Sequence, residues 1–422
     1  MRGGLLSQRG AATQQFKFAM HDNFASLKDD FSCACVSTTD TLAAEATAGN
    51  DYIDMTTLAV AQTYSVGNGI AIPAAGTASA ELLTSVWYRS GVRLYLNTTI
   101  KTTVAAGGIV YHDDAVGVQA GVSDANAFYL YNPGDCMLTS GIDYTKANTQ
   151  ILGSDMFTKR HYPFVEGRSS SFISRFDTDD IFYLGSDRCG LVGNTIHQHS
   201  SVVRTGGFCI QDGPKSVGYK QYDVSAADTV YSSTILNVYC NEPWIAYGGG
   251  RTFYGHVEGL AGENYRKNVI ELDRPLPFGG TVFNGISGSG HGPSSYVLTA
   301  GVGSAVLVKR SDLCTWHGLD VWRVLNGFEV ANTTTGNVGL QKVNGGFIDN
   351  IVGGYAVKLT ETTAGTNLAN NFVGLGANTT NALGTYYITT NGGYNALTNV
   401  CSNNGVGTNV DTDGTSIMTG NR

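Results

Sequence analysis

A right-handed parallel β-helix, an all-β solenoid, is the fold that the sequence predicts. Short apolar-x-apolar triplets recur from about residue 207 to residue 404, and Gly, Asn and Thr crowd the segments between them. The third residues of successive triplets lie 22 to 37 residues apart, which is typical of a solenoid. The triplets are Phe208-Cys209-Ile210, Ile245-Ala246-Tyr247, Ile270-Glu271-Leu272, Val306-Leu307-Val308, Phe328-Glu329-Val330, Val357-Lys358-Leu359 and Tyr386-Tyr387-Ile388.

Each triplet predicts a strand with one buried face. Alternation places the first and third residues inward and the middle residue outward, so we expect Glu271, Glu329 and Lys358 on the outer face. Strands this short bury their apolar side only when successive coils stack them in parallel. Further strands of the coils are predicted at residues 252–253, 282–286, 319–322 and 371–375.

The composition agrees with a folded solenoid and excludes several other classes. Hydrophobic residues make up 42% and aromatic residues 10% of the 422 positions, too many for a disordered chain. The net charge of −8 without a Lys/Arg cluster argues against nucleic acid as a partner. No apolar run approaches the ~20 residues that span a bilayer, and residues 1–20 lack the apolar core of a secretory signal. We expect no membrane insertion.

The eight cysteines are expected to be reduced, structural thiols. They form no CxxC pair and no zinc-binding spacing. Cys33-Ala34-Cys35 is the one close pair. It is interpreted as two ordinary thiols, with a redox or metal element as the alternative. We expect no cofactor and no metal.

The chain divides into three predicted regions. Residues 1–52 are expected to be a non-solenoid N-terminal arm, either a disordered terminus or a docking peptide, with one short helix at 22–31. The β-helix is expected over 53–405, with a looped insertion around 98–165. Residues 406–422 are expected to be a C-terminal cap or tail.

Residues 69–97 carry a resemblance to a known fold family. Gly69-Ile70-Ala71-Ile72-Pro73-Ala74-Ala75-Gly76, followed by Val-Trp-Tyr-Arg-Ser-Gly-Val-Arg-Leu-Tyr-Leu at 86–96, resembles the opening coils of the pectate-lyase-like superfamily. Under this interpretation Pro73 and Gly76 break a strand at a coil corner, and Ser90-Gly91 forms a tight turn. The chain lacks the family's Phe-Gly-Ala-x-Gly-Asp entry segment, so we expect a degenerate cap at 55–64.

One motif resembles a catalytic turn. Gly288-Ser289-Gly290-His291-Gly292 is similar to the Gly-His-Gly turn of polygalacturonases in the same superfamily, whose histidine lies beside aspartates. The accompanying Asn-Thr-Asp and Asp-Asp elements are absent here. The motif is therefore interpreted as a Gly-rich turn that contains a histidine.

Glycoside hydrolysis requires two suitably spaced carboxylates, and the region 256–330 is the richest in candidates. The expected catalytic acids are Glu258, Asp273 and Asp320. If the coils stack in another register, Glu271 or Glu329 would take the place of one of these acids. The expected substrate-binding residues are His291, Trp316, Trp322 and Arg323. The alternatives are aromatic rings buried in the core and carboxylates paired with Lys309, Arg323 or Lys358.

Three functions remain open from the sequence. The favoured one is a virion attachment protein resembling bacteriophage tailspikes or tail fibres. This resemblance implies a homotrimer assembled in the host cytoplasm, joined to the virion tail or capsid by its N-terminal arm and binding host surface polysaccharide, with or without cleaving it. The alternatives are a polysaccharide hydrolase or lyase and a purely structural virion fibre or capsid-decorating protein. Fold resemblance alone does not decide among them.

Overall fold

The computed structural model describes 14 stretches of the chain, separated by short gaps. They are residues 24–153, 170–213, 230–249, 252–273, 280–291, 303–332, 338–339, 341–361, 370–378, 382–389, 396–398, 400–402, 409–411 and 417–419. Helices in these stretches are short: Leu27–Asp30, Leu58–Ala61, Ala115–Ser123 and the 3-10 turn Thr77–Ser79.

Most strands stack in parallel into three ladders, A, B and C, and a typical coil contributes one strand to each. Ladder A contains Phe24–Ser26, Tyr129–Tyr131, Gln150–Leu152, Gly190–Val192, Thr234–Leu236, His256–Glu258, Val282–Asn284, the first halves of Thr315–Val324, Lys342–Ile351 and Asn371–Ala377, then Ala396–Thr398 and Ile417–Thr419. Ladder B contains Asp135–Leu138, Ser171–Ser174, Thr195–Gln198, Tyr239–Asn241, Ala261–Tyr265, Ser287–Gly290, the second halves of the same long strands, and Cys401–Ser402.

Ladder C completes each coil. It contains Ile142–Asp143, Phe182–Leu184, Phe208–Asp212, Ile245–Gly249, Asn268–Asp273, Val306–Asp312, Phe328–Asn332, Tyr355–Glu361, Gly384–Thr389 and Val410–Asp411. Two short additions lie beside the ladders: Val230–Tyr231 paired with Thr252–Phe253, and Val338–Gly339 paired with Val306–Asp312. The predicted parallel β-helix is confirmed.

All seven predicted triplets lie in ladder C, one in each coil. Glu271, Leu307, Glu329 and Lys358 pair in succession, each as the middle residue of its triplet. Between two earlier coils the register shifts by two residues, so that Tyr247 pairs with Ile270. A shift of two residues keeps each side chain on its original face. The predicted faces are confirmed for the triplets that begin at Ile270, Val306, Phe328 and Val357, whose first and third residues are buried in the main core. They are wrong for the two earlier triplets, because Cys209 and Ala246 belong to the main core, whereas Phe208 and Ile245 pack together outside it.

The corner between ladders A and B is formed by residues with left-handed backbone. Asn237, Gly259, Gly285, Gly318 and Gly374 occupy this corner in different coils, with φ between +51° and +67°. Glycine adopts this conformation without a Cβ penalty, and asparagine tolerates it better than most residues. An apolar side chain follows at each corner and is buried: Val238, Leu260, Ile286, Leu319 and Leu375.

A six-stranded antiparallel sheet precedes the coils. Its strands, in spatial order, are Thr39–Thr41, Ile109–Asp113, Gly69–Ile72, Leu82–Ser90, Arg93–Leu96 and Tyr52–Asp54. It has its own apolar core, which includes Ile53, Ile70, Val86 and Leu94.

The expectation that residues 69–97 open the solenoid is therefore wrong. Ile70 pairs with Thr84, and Arg89 pairs with Leu94, both antiparallel. Alternating apolar residues around a Gly turn are common to hairpins and coils, so the motif does not reveal the direction of pairing. The helix Leu58–Ala61, expected as a solenoid cap, belongs to this antiparallel region, and its Ala61 is part of the same core.

The folded body begins earlier and ends later than the sequence predicted. Phe24–Ser26 forms a ladder A strand on Tyr129–Tyr131, and the expected short helix follows at Leu27–Asp30. Residues 24–52 are thus not an arm. The expected insertion contains the first coil and the helix Ala115–Ser123, and beyond residue 405 the ladders continue through Ile417–Thr419.

Candidate functional site

The three predicted catalytic acids do not converge. Glu258 ends a strand of ladder A, Asp320 lies in ladder B, and Asp273 ends a strand of ladder C. The side chain of Asp273 is outside the described part of the structure. Since the ladders form different faces of the coil, the proposed three-residue site is wrong.

Glu258 lies on a different surface from the other candidates. Its Oε2 is 3.0 Å from His256 Nε2, and its side chain is 43% exposed. The exposed ring of Tyr254 lies two residues before this pair in the chain. Glu258 is therefore a surface carboxylate of ladder A.

Trp316 is a core residue, so its predicted role in substrate binding is wrong. It is 1% exposed and stacks on Phe283 with ring centroids 3.9 Å apart. Its Nε1 donates a hydrogen bond to Gln341 Oε1 at 2.9 Å, which satisfies the buried indole. Phe328 packs edge-on against the same ring.

Glu271 and Glu329 form ion pairs on the outer side of ladder C. The carboxylate of Glu271 is fully buried beneath Lys267 and Lys309, at 2.7 and 3.0 Å. Burial opposes ionisation, but the two ammonium groups outweigh it and hold the pKa of Glu271 below its ordinary value. Glu329 pairs with Lys358 at 2.8 Å. The contacts of Lys309 and Lys358 match the structural alternative, in which carboxylates pair with lysines of neighbouring coils.

The outer side of ladder B brings three of the predicted residues together. Asp320, Trp322 and Arg323 lie on the strand Thr315–Val324, where Asp320 is exposed and the other two are half-buried. Leu319 and Val321, which alternate with them, are buried. We name this surface the ladder B face: Glu263, Ser289, Asp320, Trp322, Arg323, Phe347, Asp349 and Asn378.

Glu263 is the acid that the sequence interpretation missed. It is 4% exposed, and its Oε2 accepts a hydrogen bond from Ser289 Oγ at 2.5 Å. Burial raises its pKa, the Asp320 carboxylate contributes in the same direction, and the Ser289 hydrogen bond and Arg323 oppose the shift. Asp320 and Arg323 lie on a ladder B strand two coils beyond that of Glu263.

A register irregularity in the strand accompanies Glu263. The pairing of Ala261–Tyr265 with Ser287–Gly290 shifts between Gly262 and Tyr265, and Asn264 has φ +53°. Bulges of this kind re-aim side chains and are common beside active sites. The sequence signal was an acid between Gly262 and Asn264 in an otherwise weakly charged strand.

The next coil extends the face with an aromatic ring and a third acid. Phe347 pairs with Asp320, and Asp349 pairs with Trp322, in the parallel register. Phe347 is 39% exposed. Asp349 Oδ1 accepts hydrogen bonds from Asn378 Nδ2 at 2.7 Å and from the Asn350 backbone at 2.8 Å. The face therefore presents two aromatic rings between carboxylates.

His291 lies at the end of a ladder B strand, where the chain leaves the ladder. Its backbone N–H donates to the Tyr265 carbonyl at 2.8 Å. Partial burial and the nearby Arg266 guanidinium lower its pKa, and Glu242 opposes this shift. Arg266 in turn contacts Glu242 at 3.4 Å. Gly292, the last residue of the predicted turn motif, lies outside the described residues.

The chemistry available to the ladder B face is proton transfer between carboxyl groups and a bound ligand. A buried acid whose pKa is raised holds its proton to higher pH than an exposed one and can donate it, whereas an exposed carboxylate can serve as base or nucleophile. Within the described stretches, no three His, Cys, Asp or Glu side chains are arranged to hold a metal ion. No described helix is long and apolar enough to cross a membrane.

Comparisons with known proteins identify similar structures only. No protein-family model and no curated protein sequence matches the chain. The tailspike protein 2 enzymatically active domain of bacteriophage CBA120 is similar over 99% of this chain, at 15% identity and a TM-score of 0.48. The chain spans 63% of the length of that structure.

Two further similar structures come from a bacterium and a phage. The catalytic unit of a GH87 α-1,3-glucanase from Streptomyces thermodiastaticus aligns over 92% of this chain and 88% of its own, at 10% identity and TM-score 0.38. The tailspike gp49 of Pseudomonas phage LKA1 aligns over 91% of this chain and 67% of its own, at 10% identity and TM-score 0.34. Likenesses at this level do not decide the function of this chain.

Proposed function

We propose that this chain is a virion attachment protein of the bacteriophage tailspike or tail-fibre type that binds host surface polysaccharide on the ladder B face and hydrolyses it. The observation that carries the catalytic part is the environment of Glu263, a buried acid with a raised pKa. The exposed carboxylate of Asp320 lies within electrostatic reach of it. When one carboxyl group is buried and another is exposed, the buried one can act as the acid and the exposed one as the base of a single reaction.

The residues of the face fit the steps of glycoside hydrolysis. Glu263 donates its proton to the glycosidic oxygen as the bond to the anomeric carbon breaks. Asp320 either activates a water molecule or attacks the anomeric carbon, depending on the distance between the two carboxyl groups. Trp322 and Phe347 offer apolar rings against which sugar rings pack.

The charges of the face favour a neutral polysaccharide and hydrolysis over a lyase reaction. Glu263, Asp320 and Asp349 are acidic, and Arg323 is the one cationic member of the ladder B face. A lyase removes a proton beside a uronic acid carboxylate, whose charge requires cationic partners. The carboxylates of Asp320 and Asp349 would instead repel an acidic sugar.

The repeat of the coils suits a polymeric ligand. Neighbouring coils place equivalent side chains about 4.8 Å apart, so Glu263, Trp322 and Asp349 extend along the β-helix axis. An extended glycan lying along this axis would contact several coils at once. This geometry supports polysaccharide, rather than a small sugar, as the ligand.

Virion attachment, the homotrimer and assembly in the host cytoplasm complete the proposal. Residues 24–52 of the predicted arm belong to the folded body, and residues 1–23 lie outside the described stretches. Attachment through the N-terminus therefore stays a prediction. Sedimentation of the purified protein tests the trimer, and incorporation into particles of a chain lacking residues 1–23 tests the attachment.

The decisive experiment measures binding and reducing-end release on host surface polysaccharides, neutral and acidic, with wild type and two matched variants. Glu263→Gln removes the proton donor, and we expect cleavage to fall by about 10²-fold or more while binding persists. Glu258→Gln makes the same change on ladder A and is expected to leave cleavage intact. Equal cleavage by wild type and Glu263→Gln would contradict the site. Binding without cleavage by wild type would favour a pure adhesin, and absence of both would favour a structural fibre.

A further inference from the structure

Two cysteines from distant parts of the chain meet where the antiparallel sheet joins the β-helix. Cys35 follows the helix Leu27–Asp30, and Cys136 lies on the first strand of ladder B, Asp135–Leu138. Their Sγ atoms are 3.2 Å apart, and both residues are buried. Neither thiol has to move far to form a covalent bond.

One buried carboxylate holds both cysteine-bearing segments. Asp114 accepts hydrogen bonds from the backbone N–H groups of Ala34 at 2.6 Å and Cys35 at 3.3 Å. The same side chain accepts from the N–H of Met137 at 3.2 Å. Asp114 therefore holds the backbone of Cys35 and that of Met137, the residue after Cys136. Because both segments are fixed to one side chain, the fold itself keeps the two sulfur atoms close.

The backbones also touch directly beside the thiols. The N–H of Asp135 donates to the Cys35 carbonyl at 3.2 Å. A Cβ at Gly134 would lie 2.6 Å from the same carbonyl oxygen, a distance that side chains do not tolerate. Glycine at this position permits the close approach that places Cys136 against Cys35.

We propose that Cys35 and Cys136 form a disulfide bond when the folded protein enters an oxidising environment, and that Cys33 remains a thiol. The bond would close the chain from residue 35 to residue 136, which contains the whole six-stranded antiparallel sheet. Cross-links around long loops restrict the unfolded chain and stabilise the folded one. Disulfides of this kind form outside the reducing cytosol. For a virion protein, as proposed above, this means that the bond forms after release from the host cell.

The order of steps follows from exposure. Cys35 is 8% exposed and Cys136 is fully buried, so an external oxidant reaches Cys35 first. Hydrogen bonds from the Cys136 and Cys33 thiols lower the pKa of Cys35 to about 5, and the thiolate is the nucleophile in disulfide exchange.

The reaction with glutathione disulfide is balanced as two exchanges. The Cys35 thiolate attacks one sulfur of the oxidant, its S–S bond breaks, and one glutathione thiolate leaves. Cys136 then loses its proton to that thiolate and attacks the Cys35 sulfur. The second glutathione leaves as a thiolate and takes up, through solvent, the proton that Cys35 released. The two cysteines together lose two electrons and two protons, and glutathione disulfide is reduced to two thiols.

Peptide mapping tests the proposal. The full chain, purified in reductant, is incubated with glutathione disulfide, alkylated and digested, and linked peptides are identified by mass spectrometry. We expect a cross-link between Cys35 and Cys136, lighter than the two reduced peptides by two hydrogens, with Cys33 alkylated after unfolding. Alkylation of both Cys35 and Cys136 after full oxidation would overturn the proposal, as would a dominant link through Cys33.

Cysteine variants distinguish a disulfide bond from two thiols that are merely packed together. Cys33→Ser is expected to keep the cross-link, whereas Cys136→Ser is expected to lose it. Oxidation should raise the thermal midpoint of the wild type and of Cys33→Ser, but not that of Cys136→Ser. If Cys136→Ser fails to fold, comparing oxidised and reduced wild type gives the same readout. An unchanged midpoint in a verified cross-linked wild type would overturn the stabilising role.

Discussion

Ser289 donates a hydrogen bond to Glu263 across two adjacent coils of ladder B, with Oγ and Oε2 2.5 Å apart. This contact ties the candidate proton donor to the coil that follows it. It stabilises the charged form of Glu263, whereas burial stabilises the protonated form more strongly. The balance between these two effects sets the pH range in which Glu263 keeps its proton.

The pH dependence of cleavage should follow that balance. Burial raises the pKa of Glu263 above its ordinary value of about 4.3, so the donor form is lost as pH rises through the raised pKa. Ser289→Ala removes a bond to the charged form, and we expect the alkaline limb of the pH–rate profile to move to higher pH. Ser287→Ala, on the same strand, is the matched control. A limb that moves to lower pH in Ser289→Ala would contradict the assignment.

The two tryptophans of one strand should behave in opposite ways. Trp316→Ala removes a buried ring stacked on Phe283, and we expect a loss of about 3–5 kcal/mol in unfolding free energy. Trp322→Ala, on the ladder B face, should weaken polysaccharide binding with little change in stability. Chemical denaturation and a glycan-binding isotherm on both variants check this. If Trp322→Ala binds polysaccharide as well as the wild type does, Trp322 is not part of the binding site.

The register of ladder C can be tested with adjacent residues. Leu359 is fully buried and Thr360 is half-buried. Leu359→Asp places an unpaired charge in the core, and we expect a cost on the order of 4 kcal/mol or more. Val330→Asp, one coil earlier, should cost a similar amount, whereas Thr360→Asp should cost much less. Denaturant titration measures all three, and a wild-type midpoint for Leu359→Asp is incompatible with the described register.

The buried ion pair of Glu271 predicts a pH-dependent stability. Its pKa is lowered in the folded state, so its contribution is present above the ordinary value of about 4.3 and is lost as pH falls through the lowered pKa. Lys309→Met removes one of its two partners, and we expect a cost of about 1.5–3 kcal/mol at pH 7. The difference from wild type should shrink in acid, once Glu271 is protonated. A difference that is constant from pH 7 into strong acid would exclude this origin.

Local pattern sufficed to predict the fold of ladder C. The apolar-x-apolar triplets marked a ladder C strand in every case and gave the inner face correctly from Ile270 onward. At Phe208 and Ile245 the first residue of the triplet instead lies outside the main core. The same reasoning failed at Ile70 and Leu94, since alternation is common to parallel and antiparallel strands. Whether a strand pairs in parallel or antiparallel depends on its partner strand, which the local pattern does not identify.

The sequence by itself determined that this chain forms stacked coils, because each short apolar strand can be buried only against its copies. It also placed Asp320, Trp322 and Arg323 together, since they are neighbours on one strand. Only the tertiary structure decided that Glu258 and Asp273 belong to other ladders and that Trp316 is internal. It likewise decided that Glu263 is buried on the same ladder as Asp320. The number of residues between strands varies from coil to coil, so the sequence does not show which face a distant acid shares.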